Sequence, residues 1–151
     1  MSKKGKLGIA WGLLIFWMGL IFFMSNQLAD ISNSQSNFIV ELIKKMGIHV
    51  TERNIEGITT FVRKGAHFSE YTILGILGYN VIRYYISTRK ARFLALILVV
   101  VYACSDEIHQ IFIPGRAGRF TDIIIDSCGG AFAFLIIVFI NMKNRWLSDK
   151  L

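Results

Sequence analysis

Cys104-Ser105-Asp106-Glu107-Ile108-His109-Gln110-Ile111-Phe112-Ile113-Pro114-Gly115-Arg116-Ala117-Gly118-Arg119-Phe120-Thr121-Asp122 places three acids, a histidine, a glutamine and two arginines between two apolar segments. The upstream flank, residues 93–101, is pure hydrocarbon, and the downstream flank, residues 123–140, is nearly so. Ionisable side chains at membrane depth cost roughly 2.5–3.5 kcal/mol each on insertion scales unless they are paired or hydrated. Such groups are kept there for a fold or for chemistry. A matching polar set occurs upstream, in Arg63-Lys64-Gly65-Ala66-His67-Phe68-Ser69-Glu70-Tyr71. Whether the two sets meet decides both fold and function.

Working outward, the whole chain has 151 residues, 54% of them apolar, a single proline and a mean hydropathy of +0.50. This composition implies one membrane-embedded domain rather than a soluble globule. Residues 7–24 carry no charge, about 18 residues and enough for one spanning helix. Met24-Ser25-Asn26 is a poor signal-peptide cleavage site, so an uncleaved first span is expected. A net charge of +7 would suggest nucleic acid in a soluble protein. Here the basic residues flank apolar runs, and membrane topology explains them better. Cys104 and Cys128 fall within apolar segments and read as small core residues without a disulfide.

The expected fold is all-α and polytopic, with four transmembrane helices over about 7–24, 65–86, 93–113 and 120–142. Lys3, Lys4 and Lys6, then Arg83, Arg89, Lys90 and Arg92, then Lys143, Arg145 and Lys150 fall on one side of such a bundle, and the positive-inside rule makes it cytoplasmic. Residues 25–62 and 114–119 then lie outside. Lys44, Lys45, Arg53, Arg63, Lys64, Arg116 and Arg119 count against this orientation, but the inner positives have almost no acidic company. In the outer segment, Phe38, Ile39, Leu42, Ile43 and Met46 share one helical face, with Ser36 or Asn37 as start cap and Gly47 as end. That helix is too short and charged to span, and an extracytoplasmic interfacial position is expected for it. A further helix start at Thr51 leads into the second span, with Gly57 or Gly65 as bend points.

With this topology nearly all the intramembrane polarity falls in the outer leaflet half. His67 and Glu70 are helix neighbours, Asp106 shares a face with His109 and Gln110, and Asp122 and Asp126 stack one turn apart. Arg63, Arg116 and Arg119 form the expected rim. Gly75 and Gly78, with Ser127, Gly129, Gly130 and Ala131, would allow close helix approach. Glu107 lies off the Asp106 face and reads as a solvated or arginine-paired acid. Trp11, Trp17 and Trp146 read as membrane anchors or lipid-facing rings, and Pro114-Gly115 as a turn that exposes Arg116.

Three readings of the constellation stand side by side. It is a charge clasp between helix ends, a site for an anionic headgroup, or a divalent-metal site permitted by the His67–Glu70 and Asp122–Asp126 spacings. The residues name no cofactor. In the headgroup reading His67, Glu70, Asp106, His109 and Asp126 supply acid–base chemistry. Arg63, Gln110, Arg116, Arg119 and Asp122 bind the substrate, with Arg116 and Arg119 on its phosphate. The partner is then a membrane lipid or a lipid-linked envelope precursor, with no nucleic acid. A non-catalytic lipid- or antibiotic-binding factor, or a partner subunit, is the alternative; four spans make a poor transport path. The Arg, Ser-Gly-His and His-Asp spacings of lipid phosphatases are missing.

Arg63-Lys64-x-Ala66-His67-Phe68-x-Glu70-Tyr71, then Ser105-Asp106-Glu107-x-His109-Gln110 through Pro114-Gly115-Arg116-x-Gly118-Arg119, then Asp122-x-x-x-Asp126-x-x-Gly129 resemble the VanZ-like family of bacterial membrane proteins. The resemblance covers nearly the whole chain in order, with no departure at the polar positions. It implies a small four-span protein of the bacterial cell membrane, and its namesake is associated with teicoplanin resistance. It implies no particular reaction.

Overall fold

The computed structural model describes residues 2–27, 29–45, 47, 49–51 and 53–148. They form five helices: α1 (Lys3–Ser25), α2 (Ala29–Lys45), α3 (Ile55–Ile82), α4 (Thr88–Gln110) and α5 (Phe120–Ser148). No strand occurs among the described residues. The all-α expectation holds. Two helices, Lys3–Ser25 and Phe120–Asn144, are long and apolar enough to cross a membrane. Met46 and Lys150, counted above, lie outside the described residues.

Local chemistry explains the helix ends. Ser2 caps α1, its Oγ accepting the Gly5 N–H at 3.2 Å. Gly47 follows α2 with φ +91°, the left-handed conformation that glycine tolerates after a helix. The second helix begins at Ala29, so Ser36 and Asn37 are interior residues rather than caps. Its packing also departs from the periodicity. Among the described side chains of α2, Val40 is buried, while Phe38, Ile39 and Leu42 are exposed. A helix that carries apolar residues on two sides cannot be phased from hydropathy alone. The third helix runs unbroken through Gly57 and Gly65.

In the packing, α3 is central and touches every other helix. It meets α5 where neither has much side chain. A Cβ on Gly129 would strike the Phe68 carbonyl oxygen, and one on Gly75 would lie 2.8 Å from Ala133 Cβ. The Thr72 hydroxyl spans this crossing, 2.8 Å from the Phe68 carbonyl and 3.1 Å from that of Gly129. Close contact of this kind is what small residues permit where a membrane removes the hydrophobic drive for association. Gly75, Gly78, Gly129 and Gly130 are buried as expected. Ala131 is exposed, and Ala133 takes its place at the crossing. Cys128 is exposed too, a correction to its expected burial, because it lies on the opposite face of α5 from Asp126 and Gly130.

The fourth helix packs Ala91, Ala95, Val99 and Ala103 inward. Val99, Tyr71, Leu74 and Val81 form a core with Leu14 and Ile21 of α1. Polar links reinforce it: Tyr102 donates to the Met18 carbonyl at 2.7 Å, and Trp17 Nε1 donates to that of Glu70 at 3.0 Å. Trp17 is therefore half-buried against α3 rather than lipid-facing. Trp11 Nε1 donates to the Tyr85 hydroxyl at 2.9 Å, at the opposite end of the molecule.

The α3–α5 crossing gives a direct test. Gly129→Ala should lower the melting temperature of the detergent-solubilised protein, at an overpacking cost of about 1–3 kcal/mol. Gly57→Ala, whose new carbon meets nothing within 4 Å, should melt no lower than the parent. Equal melting of the two variants would show that the crossing is not contact-limited.

Candidate functional site

On α3, Arg63, His67 and Glu70 repeat at i, i+4 and i+7 and so share a face. On α4, Asp106 and Gln110 are buried one turn apart, and Gln110 Nε2 donates to Asp106 Oδ2 at 3.1 Å. The chain then reverses at Pro114-Gly115, where Gly115 has φ +78°. Arg116 does not project outward from this turn. It folds back half-buried, and Nη2 donates to the Met24 carbonyl at 3.4 Å. That carbonyl belongs to the last turn of α1, where unsatisfied C=O groups and the helix dipole favour a cation. Burial pushes Arg116 down from the ordinary arginine value; the Asp106 carboxylate pulls it back up.

Glu107 is a correction to the sequence reading. It is 3% exposed, and its Oε2 accepts the Arg119 N–H at 2.7 Å. Gly118 lies so close that a Cβ there would sit 2.6 Å from the Glu107 carbonyl. The 111–119 loop is thus strapped to the end of α4 by one carboxylate. No local spacing signals this, because the partner is a backbone N–H twelve residues away.

Two adjoining cavities result. The larger, about 200 Å³, is lined by Arg63, His67, Glu70, Asp106 and Arg116, with an apolar wall from Ile21, Met24, Ile39 and Val62. The smaller, about 80 Å³, is lined by Arg63, His67, Gln110, Arg116, Arg119 and Asp122. Arg63, His67 and Arg116 face both. Behind them Asp126 is fully buried, with Oδ1 3.8 Å from His67 Nδ1. Neither Asp126 oxygen has a hydrogen-bond partner among the described residues. At 3.8 Å the His67 contact is electrostatic rather than a hydrogen bond. A carboxylate so placed must carry a proton or face a protonated imidazole, since an uncompensated buried charge is too costly.

The structure brings together nine of the ten candidate residues, and His109 is the exception. Its Nε2 lies 3.3 Å from Asn26 Oδ1, its ring packs at 4.8 Å on Phe22, and it lines neither cavity. On a helix, a step of three residues rotates about 60° to one side and a step of four about 40° to the other. That difference sends His109 toward α1 while Gln110 faces the cavity. Asp122 and Asp126 also separate: Asp122 pairs with Lys64 at 3.6 Å, Asp126 with His67. No three His, Cys, Asp or Glu side chains among the described residues stand where they could hold a metal ion together. Sequence reasoning missed Lys64 and Trp17 as parts of this region. It also missed Tyr71, which is fully buried with its hydroxyl beside the Asp106 carboxyl but outside strict hydrogen-bond geometry. All three contacts join different helices, which helical periodicity cannot foresee.

No curated protein and no solved structure matches the chain. The model of the VanZ/LLP1 family matches residues 10–141, a range that contains every residue of both cavities and Asp126. The chain belongs to the VanZ/LLP1 family.

Proposed function

We propose that this protein is a single four-span domain of the bacterial cell membrane whose cavity opens on the extracytoplasmic side. There it engages the anionic headgroup of a membrane lipid or lipid-linked envelope precursor. One observation carries the reading: Arg63, Arg116 and His67 line a void together with Glu70 and Asp106, and apart from Ser25 the rest of that void is apolar. Arginines grip phosphate in a forked geometry, and an apolar wall beside them suits the chains of an amphipathic ligand. His67 is the acid–base group, with Asp126 behind it as the orienting carboxylate. The family resemblance to proteins of teicoplanin resistance is consistent with a site on the outer face of the membrane.

The membrane reading draws support from the outer surface of the bundle. Phe93, Ile97 and Val101 on α4 and Phe132, Leu135 and Phe139 on α5 are exposed rows of large apolar side chains. With 28 residues, α3 is about 42 Å long, enough to cross and project beyond the hydrocarbon. Arg63, His67 and Glu70 of α3 and Asp106 of α4 turn toward the cavities, Glu107 turns to the 111–119 loop, and Arg89, Lys90 and Arg92 fall in the first turn of α4, where a spanning helix meets water. The exposed Phe38, Ile39 and Leu42 of α2 lie in the outer interface. A second reading, a structural clasp, is favoured by the Lys64–Asp122 and His67–Asp126 contacts that tie α3 to α5.

Paired measurements separate the two. His67→Gln and Asp126→Asn keep size but remove charge and proton transfer. They should melt within a few degrees of the parent in detergent yet lose envelope function in cells, read as tolerance to teicoplanin. His109→Gln, outside the cavities, should keep that function. Activity that falls in step with melting temperature across the series would establish the clasp and overturn the headgroup site.

Orientation has its own check. A cysteine introduced at Ala117 should react with an impermeant thiol reagent on intact cells, and one at Ser87 should not. Opposite labelling would place the cavity on the cytoplasmic side and remove the outward site.

A further inference from the structure

The larger cavity is lined by charges of both signs. Arg63, His67 and Glu70 stand on successive turns of α3, so Glu70 lies about 10 Å further along the axis than Arg63. Arg116, anchored at the end of α1, faces the cavity within reach of both Asp106 and Arg63. Asp106 faces it close to Glu70. Two guanidinium and two carboxyl groups therefore line one void, balanced in number, with Arg63 toward the loop and Glu70 deeper. Among the described residues, neither Arg63 nor Glu70 has an ion-pair partner within 4 Å.

A headgroup that ended in phosphate would satisfy the arginines and leave Glu70 and Asp106 facing an unfilled pocket. A headgroup with a second, cationic end satisfies both. We propose that the cavity selects a zwitterionic phosphoamine headgroup, with its phosphate on Arg63 and Arg116 and its primary ammonium on Glu70 and Asp106. This rests on the headgroup reading above and adds the amine. The donor is a phospholipid rather than a soluble phosphoamine, because Ile21, Met24, Ile39 and Val62 offer an apolar wall next to the phosphate end. A primary ammonium carries three hydrogen-bond donors for the two carboxyl groups. A quaternary ammonium has none.

The test uses the full chain in phosphatidylcholine nanodiscs doped equally with phosphatidylethanolamine, phosphatidic acid and phosphatidylglycerol, with retained lipid read by native mass spectrometry. Phosphatidylethanolamine should be retained about tenfold over the other two dopants, the effect of one charge-assisted hydrogen bond. Glu70→Gln should bring the three level, and Asp106→Asn should narrow the gap. Arg63→Gln and Arg116→Gln should weaken all three. Equal retention by the parent protein, or an unchanged preference in Glu70→Gln, overturns the amine assignment while leaving the headgroup reading in place. Arginine variants that retain every dopant as the parent does overturn the headgroup reading itself. Free phosphoethanolamine should not displace the lipid at matched concentration, and displacement would overturn the lipid source. The parent lipid series stands even if a variant fails to fold.

Discussion

The architecture depends on how closely α5 approaches α3. Gly129 and Gly130 carry no side chain where α5 crosses, and the Phe68 carbonyl, Thr72 and Val99 occupy the space a Cβ would need. This crossing fixes the register of the two helices. One turn toward the loop end, the same register puts Asp126 beside His67, and a further turn puts Asp122 beside Lys64. The polar site is thus a consequence of a steric fact in the apolar region. Wider spacing would leave Asp126, which is fully enclosed, without the imidazole that compensates it.

The loop end closes by a different logic. Its order comes from backbone groups that helices leave unsatisfied. The Met24 carbonyl at the end of α1 takes the Arg116 guanidinium, and the Arg119 N–H ahead of α5 is taken by Glu107. These two contacts convert a turn into a cover over the cavities and bring an arginine inward that a turn motif would expose. The same residues serve packing and charge placement, so the loop needs no secondary structure of its own.

These two mechanisms explain which parts of the molecule were legible in the sequence. The apolar runs and their small residues are local signals, and they gave the helices and most of the α3–α5 crossing. The i, i+3 and i, i+4 spacings likewise placed His67 with Glu70, and Asp106 with Gln110, with Arg63 expected only at the rim. His109 was misplaced because a three-residue and a four-residue step point to different neighbours, and only packing against Phe22 and Asn26 decides between them. Glu107, Lys64 and Trp17 were missed because each acts on another helix or on backbone. The 111–119 strap and the buried face of α2 share that property. Long-range partners leave no mark in local periodicity.

The distribution of paired and unpaired charges bears on what the cavities are for. In a clasp, attraction between helix ends stabilises the fold, so each charge gains most by facing an opposite one. The seam between α3 and α5 follows that pattern in Lys64–Asp122, while His67, with Asp126 behind it, faces the cavities. The larger cavity does not follow it. There Arg63 and Glu70 face open volume, and among the described residues no ion pair joins them to anything. Desolvating such groups without partners is unfavourable for folding, and a chain that needed them only for stability would gain by replacing them with apolar residues of similar size. Charges left unpaired around a void, beside others paired along a seam, divide the cluster into a part that holds the helices and a part left for a ligand.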